Sequence, residues 1–144
     1  MTQTALAAEW TLLQNQYDSY EKHSLWIKLV ALVLVTLVLL MTALNGMRVP
    51  ASLLVISLSL WMQEAIWKTF QARIEARLLR LEVLLTEDAE NAVNGDAYQY
   101  NTAFAEQRPG TAGLVLEYVQ AARRPTVAFP HIVLVALLTY GIFY

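Results

Sequence analysis

Ionisable side chains inside otherwise apolar segments are the residues of this chain that could do chemistry. Glu64 lies near the end of the apolar stretch 49–67, and Lys68 follows it by four residues. A charge inside a membrane segment is costly, so it is by default a functional hypothesis. The alternative is a local ion pair, because a glutamate four residues before a lysine on one helix is well placed to bind it. The sequence leaves both interpretations open.

A histidine and a glutamine extend this set. His131 follows Pro130 early in the apolar stretch 127–144, where a histidine could sense pH, bind a cofactor or simply form a hydrogen bond. Gln63 directly precedes Glu64. We therefore predict a pore-lining or intramembrane polar site that draws on Gln63, Glu64, Lys68 and His131.

No other pattern is typical of catalysis. The chain has no cysteine, which excludes thiolate nucleophiles, thiolate metal sites and disulfides. Carboxylates at Glu87, Asp88 and Glu90 are too close together in sequence to form a site unaided, and His23 is the only other histidine. We predict no enzymatic activity, no metal and no cofactor. The formal net charge of −2 argues against a nucleic-acid partner.

Three apolar stretches, at 25–44, 49–67 and 127–144, must position these residues. Each approaches the ~20 residues that a helix needs to cross ~30 Å of hydrocarbon. The chain is 57% hydrophobic, with a mean hydropathy of +0.41. The sequence therefore predicts an all-α integral membrane protein with three transmembrane helices. The short loop after Leu44 makes the first two an antiparallel hairpin, whereas the third could instead be re-entrant or interfacial.

These stretches divide the chain into four segments. They are a cytoplasmic amphipathic helix at 1–24, the transmembrane hairpin at 25–67, a cytoplasmic helical region at 68–126 and a C-terminal transmembrane helix at 127–144. The region 68–126 contains helix signals at about 96–108 and from a cap at Thr111 to Pro125.

Basic residues set the predicted orientation. Arg48 stands alone in the hairpin loop, while the opposite side carries Lys22, Lys28, Lys68, Arg73, Arg77, Arg80, Arg123 and Arg124. Because lysine and arginine favour the cytoplasmic side, we predict a bacterial inner-membrane protein with its N-terminus inside and its C-terminus outside. Residues expected to contact lipid headgroups are Trp26, Lys28, Arg123 and Arg124.

Two apolar stripes lie outside the hydrophobic stretches. The helix of the second span has no glycine or proline up to Glu87, and its stripe comprises Ile66, Phe70, Ile74, Leu78, Leu81 and Leu85. A matching stripe near the N-terminus comprises Leu6, Trp10, Leu13 and Tyr17 and continues through Tyr20 to Ser24. We expect the two stripes to pack on each other, within one chain or between copies in a homo-oligomer.

Two parts of the sequence resemble known families. YEKHSLWIK at 20–28, and WMQEAIW at 61–67 running into FQARIEAR at 70–77, resemble the octameric RipA-type inner-membrane proteins and the SLATT two-span domains of bacteria. In both, a membrane hairpin continues into a charged cytoplasmic helix. The resemblance, over about 15–90, implies a homo-oligomeric membrane assembly and, from the SLATT side, a pore-like effector role.

Three functional hypotheses follow. The first is a non-enzymatic homo-oligomeric membrane scaffold assembled through the hairpin and the cytoplasmic helices. The second is an ion channel or pore-forming effector, which requires Ser52, Ser59, Gln63 and Glu64 to face a common axis. The third is an accessory subunit of a larger membrane complex, such as a transporter or respiratory enzyme. All three place the chain among membrane lipids.

Overall fold

The computed structural model describes residues 2–86, 98–99, 102, 105 and 110–143, and their secondary structure is entirely α-helical. The helices with described bounds are α1 (Thr2–Asn45), α2 (Ala51–Thr86), α3 (Thr111–Ala122) and α4 (Pro125–Phe143). The predicted all-α fold class is confirmed. The predicted helix at 96–108 lies outside the described residues except at four positions.

A single uninterrupted helix joins the segment 1–24 to the first apolar stretch. No glycine or proline occurs between Thr2 and Asn45, so nothing in this run breaks α1. The helix stops at Gly46, whose φ of +62° is the left-handed conformation that terminates helices. There the Met47 N–H donates to the Thr42 carbonyl over 2.9 Å.

The α2 helix runs antiparallel to α1. It begins directly after Pro50 and extends past the apolar stretch to Thr86, as its glycine- and proline-free sequence predicts. We call residues 25–45, 51–63 and 131–143 the apolar half of the molecule. Residues 2–23, 65–86 and α3 form the charged half.

In the charged half, the two predicted stripes pack on each other within one chain. The cluster of fully buried side chains comprises Leu6, Leu13, Ile74, Leu78 and Leu81. Partly buried side chains around it include Trp10, Tyr17, Tyr20 and Leu85. Ile66 and Phe70, which begin the α2 stripe, are half-buried outside this cluster.

In the apolar half, α4 packs against both helices of the hairpin. The buried side chains there are Ala31, Val35, Leu53, Leu134 and Leu138. Gly141 permits a close approach to the hairpin loop, because a Cβ at this position would lie 2.8 Å from Val49 Cγ2. The start of α4 is kinked at Phe129, where the backbone leaves the helical region before Pro130.

Among the described residues, two helices are long and apolar enough to cross a bilayer, on length and composition: α1, over Thr4–Asn45, and α4. The sequence predicts three membrane-spanning helices, but α2 does not meet this criterion of length and composition. Its apolar stretch is interrupted by Ser52, Ser57 and Ser59, and it runs into Gln63 and Glu64.

The α3 helix begins differently from the prediction. Gly110 rather than Thr111 occupies the N-cap position, and no side chain caps the first turn. The helix ends at Ala122, with Arg123 as its C-cap, and α4 starts at Pro125. Proline thus begins the next helix, a position where its missing N–H has no cost.

Candidate functional site

A carboxylate and three donors meet where the apolar half joins the charged half. Glu64 on α2 is fully buried, with 0% of its surface exposed. The Ser24 hydroxyl on α1 donates to Glu64 Oε1 over 2.8 Å, and the Lys28 ammonium lies 3.0 Å from the same oxygen. His131 Nε2 on α4 lies 2.8 Å from Glu64 Oε2. These four residues, which we call the Glu64 site, join three helices.

Lys28 gives the site its counter-charge. Its Cα lies one turn inside the apolar half, and its long side chain carries the ammonium back to the level of Ser24 and Glu64. The ammonium also donates to the Thr126 carbonyl over 2.7 Å, in the first turn of α4. With its side chain 23% exposed, Lys28 is the member of the site that remains in contact with the surroundings.

His131 binds Glu64 through one of its two ring nitrogens, Nε2. Both of its nitrogens are buried, and Nδ1 has no hydrogen-bond partner among the described residues. The Glu64 carboxylate accepts this bond, so Nε2 is the nitrogen whose N–H faces it.

Trp61 covers the imidazole. The two rings stack with centroids 6.0 Å apart and an interplanar angle of 11°. The indole N–H donates to the Ala122 carbonyl at the end of α3 over 3.2 Å, which fixes the tryptophan in place. Next to Trp61, the buried Ala65, Ala121 and Val127 pack closely and connect α2, α3 and α4.

The local Glu64–Lys68 ion pair, one of the two interpretations that the sequence left open, is not formed. Lys68 instead binds Glu21 of α1 at 2.6 Å and donates to Gln71 at 2.8 Å. Glu64 and Lys68 are four residues apart on one helix, as a local ion pair requires. Glu64 is nevertheless enclosed by donors from other helices, and Lys68 binds Glu21, which lies one turn before Ser24 on α1. The Lys68 ammonium and the Gln71 amide both donate to Glu21 and hold the pKa of its carboxyl below its usual value.

Of the four residues predicted for the polar site, the structure brings together only Glu64 and His131. Gln63 is exposed on another face of α2, and Lys68 lies outside the site. The sequence prediction missed Ser24 as a donor and treated Lys28 only as a headgroup contact. The antiparallel hairpin is the feature of the sequence that could have indicated Ser24 and Lys28, since it brings the end of the α1 stripe to the level of Glu64.

A second buried carboxylate lies in the charged half and was not predicted. Arg77 Nε lies 3.0 Å from Glu9 Oε1, and Arg77 Nη2 lies 3.2 Å from Glu9 Oε2. Both side chains are buried, and the backbone N–H of Tyr98 adds a third donor to Glu9 at 2.6 Å. We call Glu9 and Arg77 the Glu9 pair. Nothing in the sequence distinguished Glu9 from the other acids that precede the first apolar stretch.

The remaining predicted contact residues lie on the surface. Trp26 is well exposed at the beginning of the apolar half, and Arg123 and Arg124 are exposed between α3 and α4. His23 is also exposed, stacks on Trp67 and binds the Ser19 carbonyl, so the two histidines have no contact residue in common.

The Glu64 site differs from a catalytic triad. Ser24 and His131 each bind the carboxylate, so the histidine is not placed to take a proton from the serine hydroxyl. Within the described part of the chain, no three histidine or acidic side chains are grouped so that they could hold a metal ion. The arrangement is suited to tying three helices together through charge-assisted hydrogen bonds.

The chain was compared with known proteins at three levels. No protein-family model, no curated protein and no solved structure matches it. The resemblance of residues 15–90 to the RipA-type and SLATT proteins therefore stays a prediction.

Proposed function

We propose that this chain is a three-span integral membrane protein of the bacterial inner membrane that self-associates along one face of α2 as a non-enzymatic scaffold. Its N-terminus and the charged half lie in the cytoplasm, and the 46–50 loop lies outside. The proposal rests on the distribution of apolar and polar surface over the helices.

Exposed apolar surface supports the membrane placement. In the most apolar windows of α1 and α4, only 17% and 28% of the residues are buried. The core helix of a water-soluble protein would be mostly buried, and monomeric soluble proteins rarely expose apolar patches larger than a few hundred Å². Large apolar side chains are exposed on α1, α2 and α4. They include Leu29, Val33, Leu37, Leu40, Val55, Ile56, Leu58, Ile132, Val133 and Leu137.

The change in exposed residues along α1 supports a hydrocarbon boundary near Leu25. Up to His23 the exposed side chains of α1 are mostly polar or charged, with Leu12 as an exposed large apolar exception, whereas continuous exposed apolar surface begins at Leu25 and Trp26. The Glu64 site therefore lies at the inner boundary. From there α1 rises about 30 Å to Asn45, whereas α2 and α4 rise only about 20 Å. We expect the outer leaflet to thin around the two shorter helices.

The observation that supports self-association is a polar stripe on the part of α2 that would face lipid. Ser52, Ser59 and Gln63 are separated by seven and four residues, so they share one helix face, and all three are exposed. The Gln63 amide has no hydrogen-bond partner among the described residues. Small polar residues and glutamine are typical of helix–helix contacts in lipid. The same face of a second copy would supply the missing partner.

The apolar stripes of the charged half support this choice of interface indirectly. Most of their side chains, such as Leu13, Ile74 and Leu81, are already buried within one chain. They are therefore not available to a second copy. Ile66, which is only half-buried and lies outside the buried cluster, continues α2 beyond Gln63 and has surface left for an intermolecular contact.

The decisive experiment is the mass of the particle purified in mild detergent, for the wild type and for Gln63→Leu. We expect a discrete homo-oligomer whose association weakens roughly three- to thirty-fold in the variant, the range for one interhelical polar contact in a membrane. The matched control is Thr36→Val, because Thr36 is an exposed polar residue of α1 in the same apolar half. A monomeric wild type contradicts the proposal. A stoichiometric foreign partner in its place would make the chain an accessory subunit.

The topology is tested separately with single cysteines, since the chain has none of its own. Met47→Cys at the hairpin loop and Thr86→Cys at the end of α2 both introduce exposed thiols. In intact cells with a permeable outer membrane, a membrane-impermeant maleimide should label position 47 and not position 86. Labelling of position 86 before lysis contradicts the orientation.

The polar stripe also favours a second candidate, a pore lined by α2. Glu64 is enclosed within one chain and turned away from Ser52, Ser59 and Gln63, so the lining would be these three residues alone. Conductance across planar bilayers that changes in Gln63→Leu would support the pore. An oligomer without conductance supports the scaffold.

A further inference from the structure

A cleft of about 240 Å³ lies between α2 and α3 in the charged half. Small side chains make room for it, with Ala72 and Ala76 on the α2 wall. Polar groups line the rest: Arg73 on α2, Gln120 on α3 and Arg124 just after α3. These residues belong neither to the Glu64 site nor to the polar stripe of Ser52, Ser59 and Gln63 on α2.

Two arginines line the cleft, one on α2 and one directly after α3. Arg73 is largely buried and is held by Glu117 over 2.6 Å, so its orientation is set before any ligand arrives. Arg124 is exposed and forms no ion pair with any described residue. The ionic side chains that line the cleft are these two arginines and Glu117, which leaves one positive charge in excess.

We propose that this cleft binds the phosphate group of an anionic ligand. Arginine suits phosphate because its planar donors match two oxygens at once. Here Arg124 would supply that fork, Gln120 would add an amide donor, and Arg73 would contribute positive charge from the opposite wall. The alanines leave space for the phosphate that larger side chains would fill.

The ligand is a lipid headgroup or a free phosphate, and the position of the cleft bears on the choice. Thr69, at its end nearest the apolar half, is five residues from Glu64 along α2, about 7 Å. In the proposed membrane orientation this is the depth of the inner-leaflet headgroups, where basic pockets bind anionic lipids. The lipid assignment thus rests on the proposed function, whereas phosphate binding itself does not.

The test uses the full chain in a non-ionic detergent, titrated calorimetrically with inorganic phosphate, short-chain phosphatidylglycerol and short-chain phosphatidylcholine. We expect Arg124→Gln to weaken binding of the anionic ligand at least about fivefold, as for loss of a charge-assisted contact. The matched control is Arg123→Gln, which removes the same charge from the neighbouring exposed residue outside the cleft. The Arg123→Gln variant should change the affinity less than about twofold, because the Arg123 charge is solvated and screened by salt and lies outside the cleft.

Two further variants change the cleft without removing an arginine. Ala76→Met should fill it and abolish binding while all charges remain. Glu117→Gln should strengthen binding, because it removes the one negative charge from the lining while its amide oxygen can still accept from Arg73 and keep it in place. The thermal stability of each variant without ligand shows whether the fold is intact.

The ligand arms separate the two sources. Binding of phosphatidylglycerol but not of inorganic phosphate supports a lipid headgroup, and binding of both supports a general phosphate site. No binding of either ligand, or an equal loss in Arg123→Gln and Arg124→Gln, overturns the proposal. If the topology experiment fails but inorganic phosphate still binds through Arg124, the cleft stands and the membrane placement does not.

Discussion

Glu64 and Glu9 are both buried carboxylates of the α1–α2 hairpin, but they are bound by different kinds of partner. Glu9 receives two parallel hydrogen bonds from a single guanidinium, that of Arg77, and one from the Tyr98 backbone. Glu64 receives an ammonium, a hydroxyl and an imidazole from residues on two other helices. The first arrangement needs little beyond the hairpin, whereas the second requires that α4 has docked.

This difference indicates what each carboxylate stabilises. The Glu9 pair fixes the register of α1 against α2, because a bidentate arginine–carboxylate contact is geometrically demanding. The Glu64 site fixes α4 in the groove of the hairpin at the edge of the apolar half. Loss of Glu64 should therefore release α4, and loss of the Glu9 pair should loosen only the far end of the hairpin.

The largest effect is expected for Glu64→Gln. The variant removes the counter-charge of Lys28 and turns one of the two oxygens that accept from the buried Ser24 and His131 into a donor, and breaking a buried pair costs about 3–5 kcal/mol. The measurement is the free energy of unfolding in mixed micelles. Glu75→Gln is the control, because Glu75 is an exposed acid of the same helix and should change stability by less than about 0.5 kcal/mol.

Release of α4 can be observed in the same variant. A Cβ on Gly141 would lie 3.7 Å from Val49 Cβ, a separation suited to a disulfide. Cysteines at both positions should oxidise readily in the wild-type background and poorly with Glu64→Gln. Equal oxidation in the two backgrounds would contradict a role of Glu64 in docking α4.

An intermediate effect is expected for Arg77→Met. The free energy of unfolding should fall by about 2–3 kcal/mol, below the full cost of a broken buried pair. The reason is that Glu9 lies near the N-terminal end of α1, where fraying lets water reach the remaining carboxylate. Disulfide formation between positions 49 and 141 should stay at the wild-type level.

The double variant Glu9→Leu with Arg77→Met sharpens this comparison. Both charges are then replaced by apolar side chains next to the cluster of Leu6, Leu13 and Ile74. Such replacements are often neutral or stabilising, so most of the loss should be recovered. Failure to recover would mean that the pair contributes more than charge neutralisation.

The smallest effect is expected for the pair between Glu21 and Lys68. Folding lowers the pKa of Glu21, so the unfolded chain binds more protons near pH 4 and stability falls as the pH falls. The contribution is complete above the ordinary pKa of about 4.3 and is lost as the pH drops through the lowered value. Because the Glu21 side chain is 61% exposed, solvent screening limits it to at most about 1 kcal/mol.

Thermal unfolding midpoints of the wild type and Glu21→Gln as a function of pH check this prediction. The two should differ at pH 7 and converge as the pH falls below 4. A constant difference across this range would exclude ionisation of Glu21 as its cause. Glu75→Gln again serves as the exposed control.

Periodicity predicted the elements of the hairpin because it reflects burial along a single helix. Leu6, Leu13 and Tyr17 fall on one helix face at spacings of seven and four residues, Ile74, Leu78 and Leu81 fall on another at four and three, and these residues do pack together. The continuation of α2 beyond the apolar stretch followed from the absence of glycine and proline. Each of these inferences uses neighbours within a few residues, which the sequence specifies directly.

Periodicity did not predict which polar side chains bind each other across helices. Local spacing pointed to Lys68 as the partner of Glu64, but donors 40 residues earlier and 67 residues later in the chain surround the carboxylate. Which donor binds depends on the rotation and relative height of packed helices. A shift of one turn along α1 would exchange Ser24 for Glu21.

The sequence by itself determined the helices, their apolar stripes and the antiparallel turn at Gly46, since these depend on local propensity, periodicity and loop length. Only the tertiary structure decided that Ser24, Lys28 and His131 meet at Glu64 and that Arg73 and Arg124 face one cleft. The physical reason is that side-chain hydrogen bonds act over about 3 Å, so they are fixed by the packing of whole helices and not by the order of residues along any one of them.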